Sequence, residues 1–328
     1  MIHARGLART FTTRRGAVEA VAGVDIDVAP GELVGFLGPN GAGKSTTLRM
    51  LTTLINPTAG TATVAGHDLL TEPVAVRRRI GYVGQNGGAG PDCLVGEELV
   101  LQGRFYGLSA AESAARAAEL IRDLDLTGLD TRVVNTLSGG QRRRLDIAMG
   151  LMHLPTLLFL DEPSTGLDPQ SRANLWGHIR GLHAERGTTL FLTTHYLDEA
   201  DALCDRILVI DKGRIVAEGT PDALKRRVSG DLVVVESTDP ARTAEIGRRL
   251  GSELSVEAAT VRFRVADGAA VLPTLLREMD AAGITMTAVE VRRPSLDDVF
   301  LTLTGRSLRE AEAAVPEPAA TRTTEARS

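Results

Sequence analysis

"ELVGFLGPNGAGKSTTLRMLTTL", residues 32–54, carries three patterns in a row. Residues 32–38 form a near-continuous apolar run ending in glycine, as a strand buried on both faces should read. From Lys44 the apolar residues recur at helical spacing until Pro57 stops them. Between the two lies "GPNGAGKS" (38–45), a match to G-x-x-x-x-G-K-[ST] in the strand–loop–helix context that the motif requires. Its glycines let successive N–H groups turn inward on a phosphate, and the helix N-terminus adds favourable partial charge. Gly38, Pro39, Asn40, Gly41, Ala42, Gly43, Lys44, Ser45 and Thr46 are the expected cradle for a nucleoside triphosphate. Lys44 would bridge its β- and γ-phosphates, and the Ser45 hydroxyl would ligate Mg²⁺. The chain has 3 lysines (Lys44, Lys212 and Lys225) beside 34 arginines, so a lysine inside this loop is hard to credit to chance.

Outward from that loop the periodicity alternates between strand and helix. "VDIDV" (24–28) is strictly apolar-polar, as a half-buried antiparallel strand should be, and "TATVAG" (61–66) alternates again. "IGYVGQ" (80–85) reads as a further strand. Residues 86–154 then change character. After a glycine-rich stretch (86–91), "SAAESAARAAELIRDLDL" is strongly helical, and Ser109 with Glu112 forms a capping box at its start. This region reads as a mostly helical insert. Buried-strand patterns return at "TLLFLDEP" (156–163) and "TTLFLTTH" (188–195), each followed by a helix. Residues 205–219 read as a hairpin around Asp-Lys-Gly-Arg, and "TPDAL" (220–224) opens a helix with Thr as cap and Pro in its first turn.

From about residue 229 the chain restarts. The patterns predict strand 231–237, helix 240–250, strands near 254–258 and 260–265, helix 269–281 and strand 284–292. That βαββαβ order is a ferredoxin-like arrangement, a small α+β domain. A short helix should follow Pro294. The tail is polar, contains Pro and Ala and lacks a core face, so residues 306–328 are expected to be disordered.

Several side chains stand where nucleotide chemistry would need them, each with a plainer reading beside it. "LLFLDEP" (157–163) is an apolar strand delivering two adjacent carboxylates. Asp161 would hold Mg²⁺. Glu162, pointing the opposite way along the pleat, would polarise an attacking water as general base. Alternatively both are solvated loop carboxylates. His195 ends the next apolar strand and is either a contact to the γ-phosphate or the water, or a structural histidine. Gln85 ends "IGYVGQ" and is either an amide reaching Mg²⁺ or water, or a surface turn residue. Phe11, one of few aromatics, is either a stacking platform for adenine or a core side chain. "LSGGQRRRLD" (137–146) carries no nucleophile or metal-ligand pair. Its Ser138, Gly139, Gly140 and Gln141 look made to bring N–H groups against an anion, or else form a flexible turn before a basic helix.

Taken together, "GPNGAGKS", "GYVGQ", "LSGGQ", "LLFLDEP", "STGLD" (164–168) and "TTH" resemble the ATP-binding cassette (ABC) family in order and spacing, over about residues 2–225. The resemblance implies an α/β P-loop NTPase cassette with a mixed β core, an antiparallel β subdomain and a helical subdomain. It implies ATP and Mg²⁺ as ligand and ion, Phe11 as the adenine-stacking aromatic and Gln85 on the loop that couples to a membrane partner. It puts Ser138, Gly139, Gly140 and Gln141 on the signature, Asp168 on the loop linking two sites, and His195 on the switch. In this family two cassettes face head to tail, and the signature of one closes over the ATP held by the other. Downstream, "PSLDDVFLTLTGR" (294–306) is similar to the C-terminal segment of the daunorubicin-resistance type of drug-exporter ATPase. The glycine-rich "NGGAGPD" (86–92) departs from the family's pattern. The expected organisation is a cassette over 1–228, with its helical subdomain at about 86–154, then an α+β domain over 229–305.

The bulk properties narrow the function. The net charge of −5 and pI near 5.8 argue against broad phosphate neutralisation of a nucleic acid, and none is expected as partner. Cys93 and Cys204 sit far apart, outside any metal spacing. No secretion signal opens the chain and no apolar run approaches bilayer length, so membrane contact is expected only through an integral permease subunit, at the cytoplasmic face. The leading reading is the ATPase subunit of an ABC exporter for a drug-like or other hydrophobic compound, working as a cassette homodimer. The competing reading is a soluble ABC ATPase acting on ribosomes or DNA. Translation-type members carry two cassettes per chain and chromosome-type members insert coiled coils or zinc modules; neither pattern occurs here.

Overall fold

The computed structural model describes residues 1–13, 16–228 and 230–305, without the side chain of Arg186. The disorder expected for 306–328 lies outside the described residues. Contacts divide the chain into two units, Met1–Glu218 and Gly219–Ser307. The boundary falls earlier than the expected 228/229, because the helix that starts at Pro221 packs with the last helix of the second unit.

The first unit opens with an antiparallel hairpin, β1 (Ile2–Thr13) and β2 (Gly16–Val28). There follow β3 (Leu33–Leu37), α1 (Lys44–Leu51), β4 (Ala59–Val64), β5 (His67–Asp68), α2 (Pro73–Arg79) and β6 (Ile80–Val83). The expected helical insert holds α3 (Val95–Phe105), α4 (Ala110–Asp123) and α5 (Gly139–Leu151). Then come β7 (Leu157–Asp161), α6 (Pro169–Arg186), β8 (Thr189–Thr194), α7 (Leu197–Leu203), β9 (Arg206–Asp211) and β10 (Arg214–Gly219). Two sheets result: a four-stranded one in the order β2-β1-β4-β5, and a six-stranded one in the order β10-β9-β3-β8-β7-β6. In the larger sheet β9, β3, β8, β7 and β6 run parallel.

The parallel strands are apolar throughout because both faces are covered. Every residue of β3, β7 and β8 is buried. Phe36, Phe159 and Phe191, one from each strand, are fully buried, and Phe191 sits 5.7 Å from each of the other two ring centres. The same core takes Ile2, Ile26 and Val28 from the hairpin and Leu48 and Met50 from α1, so the antiparallel sheet is welded to the parallel one. Parallel register brings the carboxyl ends of β3, β7 and β8 to one edge, where β3 lies between β8 and β9 and chain connections depart in different directions. Open α/β sheets hold their ligands at such an edge.

The second unit contains α8 (Pro221–Lys225), β11 (Asp231–Ser237), α9 (Pro240–Leu250), β12 (Ser252–Glu257), β13 (Thr260–Val265), α10 (Gly268–Ala281), β14 (Met286–Arg292) and α11 (Leu296–Thr304). These strands pair antiparallel in the sheet order β12-β13-β11-β14. Its core is one-sided: Val233, Val235, Val261 and Phe263 meet Ala244, Ile246, Leu275 and Met279 of the two long helices.

Candidate functional site

The loop after β3 wraps around the Lys44 ammonium. Nζ donates to Gly38 O at 2.8 Å and to Pro39 O at 3.1 Å, and Lys44 is buried. Two glycines are obligatory here for steric reasons. Gly43 has φ of 107°, and a Cβ there would lie 2.6 Å from Ala20 O of β2; at Gly38 a Cβ would lie 2.3 Å from Ile210 O of β9. The loop is thus clamped between the antiparallel hairpin and β9. Side chains that would close it are excluded.

The carboxylates arrive from β7. Asp161 Oδ1 accepts from Ser45 Oγ at 3.1 Å and from Thr193 Oγ1 at 2.6 Å, joining the ends of β7, α1 and β8. Glu162 corrects the sequence reading. It does not point away from Asp161 along the pleat, because the strand has already ended: Glu162 has a left-handed φ of 46°, fixed by its N–H donating to Thr193 O and Oγ1. That turn sets its carboxylate between Lys44 and His195. Oε1 stands 3.4 Å from Lys44 Nζ and Oε2 stands 3.4 Å from His195 Nδ1. Burial raises the Glu162 carboxyl, but His195 and Lys44 outweigh it and hold it below the ordinary glutamate range. Neither Glu162 nor Asp161 is the solvated loop carboxylate of the plainer reading.

A cleft of about 510 Å³ runs over this edge, lined by Ala20, Asn40, Gly41, Gly43, Lys44, Ser45, Thr46, Gln85 and Glu162. Gln85 therefore faces the cleft instead of forming a remote surface turn. It also lines a neighbouring cavity of about 450 Å³ with Arg49, Tyr106, Asp146 and Asp161. Ala42 lies buried beneath the loop, its N–H donating to Pro39 O. As donors for a small divalent cation, the Ser45 hydroxyl and the Asp161 carboxylate are hard oxygens already converging on one point, which suits Mg²⁺.

Other expected residues lie elsewhere. Phe11 belongs to β1 itself, opposite Val18 in the hairpin; it is half-buried, so it is not a core side chain. The Arg9 guanidinium sits 4.7 Å from its ring centre, and Phe11 lies outside the cleft lining. Ser138, Gly139, Gly140 and Gln141 are outside it too. They open α5 with a capping box: Ser138 Oγ accepts from Gln141 N at 3.2 Å, and Gln141 Oε1 accepts from Ser138 N at 3.0 Å. Asp168 caps α6 through Gln170 N and Ser171 N, and the hydrogen bonds from Ser171 pull its carboxyl below the ordinary range. A Cβ on Gly140 would lie 3.1 Å from Ser171 Oγ, so signature and Asp168 loop are packed together on one side of the chain.

Three further residues escaped the sequence reading. Arg143 of α5 is buried and donates to Pro163 O (2.8 Å), Gly84 O (2.5 Å) and Asp161 O (3.0 Å). Asp146, also on α5, accepts from Gly88 N at 3.1 Å. Glu199, wholly buried one turn after His195, accepts from Trp176 Nε1 at 3.0 Å, and burial pushes its carboxyl up. Only the buried helix face could have exposed them, since a run of three arginines otherwise reads as a solvated surface.

Comparison with known proteins gives the family. The ABC transporter family profile matches residues 21–165, and that of the ATP-binding protein DrrA1-3-like C-terminal domain matches 219–304. The chain is 44% identical to the daunorubicin/doxorubicin resistance ATP-binding protein DrrA of Streptomyces peucetius, over 93% of this chain and 92% of that protein. It is 39% identical to the Nod factor export ATP-binding protein I of Paraburkholderia xenovorans, over 90% and 95%. Among solved structures it resembles a dimeric ATP-binding cassette in a post-hydrolysis state bound to ADP and Pi, with a TM-score of 0.62 and 27% identity over 67% of this chain and 98% of that one. A relative this similar over nearly its whole length leaves one conclusion: the chain belongs to the ATP-binding proteins of the ABC transporter family, and it is an ATPase.

Proposed function

We propose that this chain powers efflux of a drug-like or other hydrophobic compound through a separate integral permease, as a homodimer of cassettes at the cytoplasmic face of the membrane. One observation carries the reading. The triphosphate cleft of a single chain collects Lys44, Ser45, Gln85 and Glu162, but the second N–H cradle at Ser138 lies outside it. A cradle outside its own cleft has a use if it closes the cleft of a second copy.

In this reading the loop 38–46 binds the phosphates, with Lys44 on the β- and γ-phosphates. Ser45 and Asp161 would hold Mg²⁺, with Gln85 near them; the ion there would neutralise charge building on the transferred phosphoryl group. Glu162 takes the proton of the attacking water as its oxygen bonds to the γ-phosphorus and the bond to ADP breaks. Its depressed pKa keeps it ionised and able to accept. His195, against the other carboxylate oxygen, orients Glu162 and donates toward the γ-phosphate. Ser138, Gly139, Gly140 and Gln141 of the partner supply donors to that phosphate, Asp168 sits where the two sites meet, and Phe11 stacks on adenine.

The permease needs a surface. Among the described residues no helix is long and apolar enough to cross a membrane. Leu101, Phe105 and Tyr106 of and just after α3, with Leu154, are exposed, Phe105 by 76%. Tyr106 also lines the second cavity beside Gln85. Exposed apolar side chains, with Tyr106 beside Gln85, suit a cytoplasmic segment of the permease.

The relatives' names attach drugs, linearmycin and Nod factor to similar chains, which supports export and leaves compound choice to the permease. The test is membrane cosedimentation with and without a co-expressed permease encoded beside it, followed by ATP-dependent dye efflux in vesicles. Association with ribosomes or DNA in place of membranes would overturn the exporter reading.

A further inference from the structure

We propose that Asp146 and Arg143 are positioning residues that make the Gln85 loop and the signature helix move as one part. They stand three residues apart on α5, hence on one helix face, and both are buried. Between them they hold the Gln85 loop on both sides. Arg143 takes Gly84 O, the carbonyl just before Gln85, and Asp146 takes the Gly88 N–H, three residues after it. The remaining Arg143 donors go to Asp161 O and Pro163 O, the backbone that flanks Glu162. One helix, whose first turn is the Ser138 cap, therefore grips the backbone on either side of Gln85 and on either side of Glu162.

This packing accounts for two of the glycines in the stretch 86–91, Gly87 and Gly90. A Cβ on Gly87 would meet both Asp146 carboxylate oxygens at 3.3 Å, and one on Gly90 would lie 2.6 Å from Glu98 Oε1, whose carboxylate accepts the Gly90 N–H at 2.7 Å. The bare backbone is what lets the loop lie down on two carboxylates of the protein itself. Rotation of α5 carries its N-terminal cradle and both ends of the Gln85 loop together. A push on that loop is delivered to the cradle, and the reverse.

The inference rests on the reading of Gln85 as a residue of the ATP site. In the full chain, Gln85→Ala and Asp146→Ala are each expected to lower kcat between about ten- and hundredfold, with KM for ATP changing by less than about threefold. If Asp146 acts through Gln85, the double variant falls no further than the worse single. Asp146→Asn keeps an oxygen for the Gly88 N–H and should recover most of the rate. A double variant whose loss is the product of the single losses overturns the inference alone, as does a loss that merely tracks a lowered melting temperature. Wild-type turnover by Gln85→Ala overturns the Gln85 reading and the inference with it. Should Asp146→Ala fail to fold, Arg143→Lys, which keeps the charge but cannot span three carbonyls, enters the same cycle with Gln85→Ala.

Discussion

As the proposed general base, Glu162 would have to be buried to feel Lys44 and ionised to take a proton, and those demands oppose each other. The left-handed turn reconciles them by setting the carboxylate between Lys44 and His195, at the strain cost of a non-glycine residue with positive φ, about 1 kcal/mol. Replacement by glutamine keeps the shape and removes the basicity, so Glu162→Gln should bind ATP normally while kcat drops by about a hundredfold or more. Multi-turnover hydrolysis at the wild-type rate would remove Glu162 from the base role. Lys44→Ala acts one step earlier and should abolish tight ATP binding, read by equilibrium binding of a fluorescent nucleotide. The pH dependence follows the direction of the shift. Because the Glu162 carboxyl is held below its ordinary value of 4.5, the ion pairs it makes stabilise the fold above that pH and are lost as pH falls through the lowered value. The acid limb of kcat/KM should accordingly lie below pH 4.5, and a limb near neutrality would contradict it. At this scale the sequence named Lys44, Ser45, Asp161 and Glu162 through motif and context. It misdirected Glu162, since strand alternation says nothing about a residue that leaves the strand in a left-handed turn.

A helix start can be both a structural joint and a binding surface; Ser138 is the first, and in the proposed dimer it would be the second as well. Its side chain satisfies Gln141 N, one of the orphan donors of the first turn, and Gln141 repays the Ser138 N–H. Ser138→Ala should cost about 1 kcal/mol of stability, seen as a lower melting temperature, and leave nucleotide binding by the single chain untouched. Ser138→Arg adds bulk at the cradle and should likewise spare that binding while blocking closure. Elements of this kind were readable because capping residues, prolines and period are local. The capping boxes at Ser109 and the βαββαβ order of 231–292 emerged with ends within a few residues of those observed. What could not be read was which face of α5 turns inward. Arg142, Arg143 and Arg144 are alike in sequence, and only packing against β6 and β7 decides that Arg143 is the one that reaches three carbonyls.

At the scale of the whole molecule, one chain carries both the cleft around Lys44 and the Ser138 turn that lies outside its lining. Each of the two is incomplete for hydrolysis alone. In the proposed reading the cleft side contributes Lys44, Ser45 and Glu162, and the Ser138 side offers N–H groups with no carboxylate or lysine among Ser138, Gly139, Gly140 and Gln141. In the proposed head-to-tail pair the triphosphate would bridge the halves, so closure should depend on an intact γ-phosphate. Glu162→Gln with ATP and Mg²⁺ should double in mass by light scattering, and ADP should leave it monomeric. Adding Ser138→Arg to that variant should keep it monomeric with ATP bound. The two substitutions sit on opposite cradles, so the outcome separates a shared site from two independent ones. If each chain used its own signature, Ser138→Arg would weaken nucleotide binding by the single chain, and association would follow binding in proportion. If the site is shared, binding persists and association alone is lost.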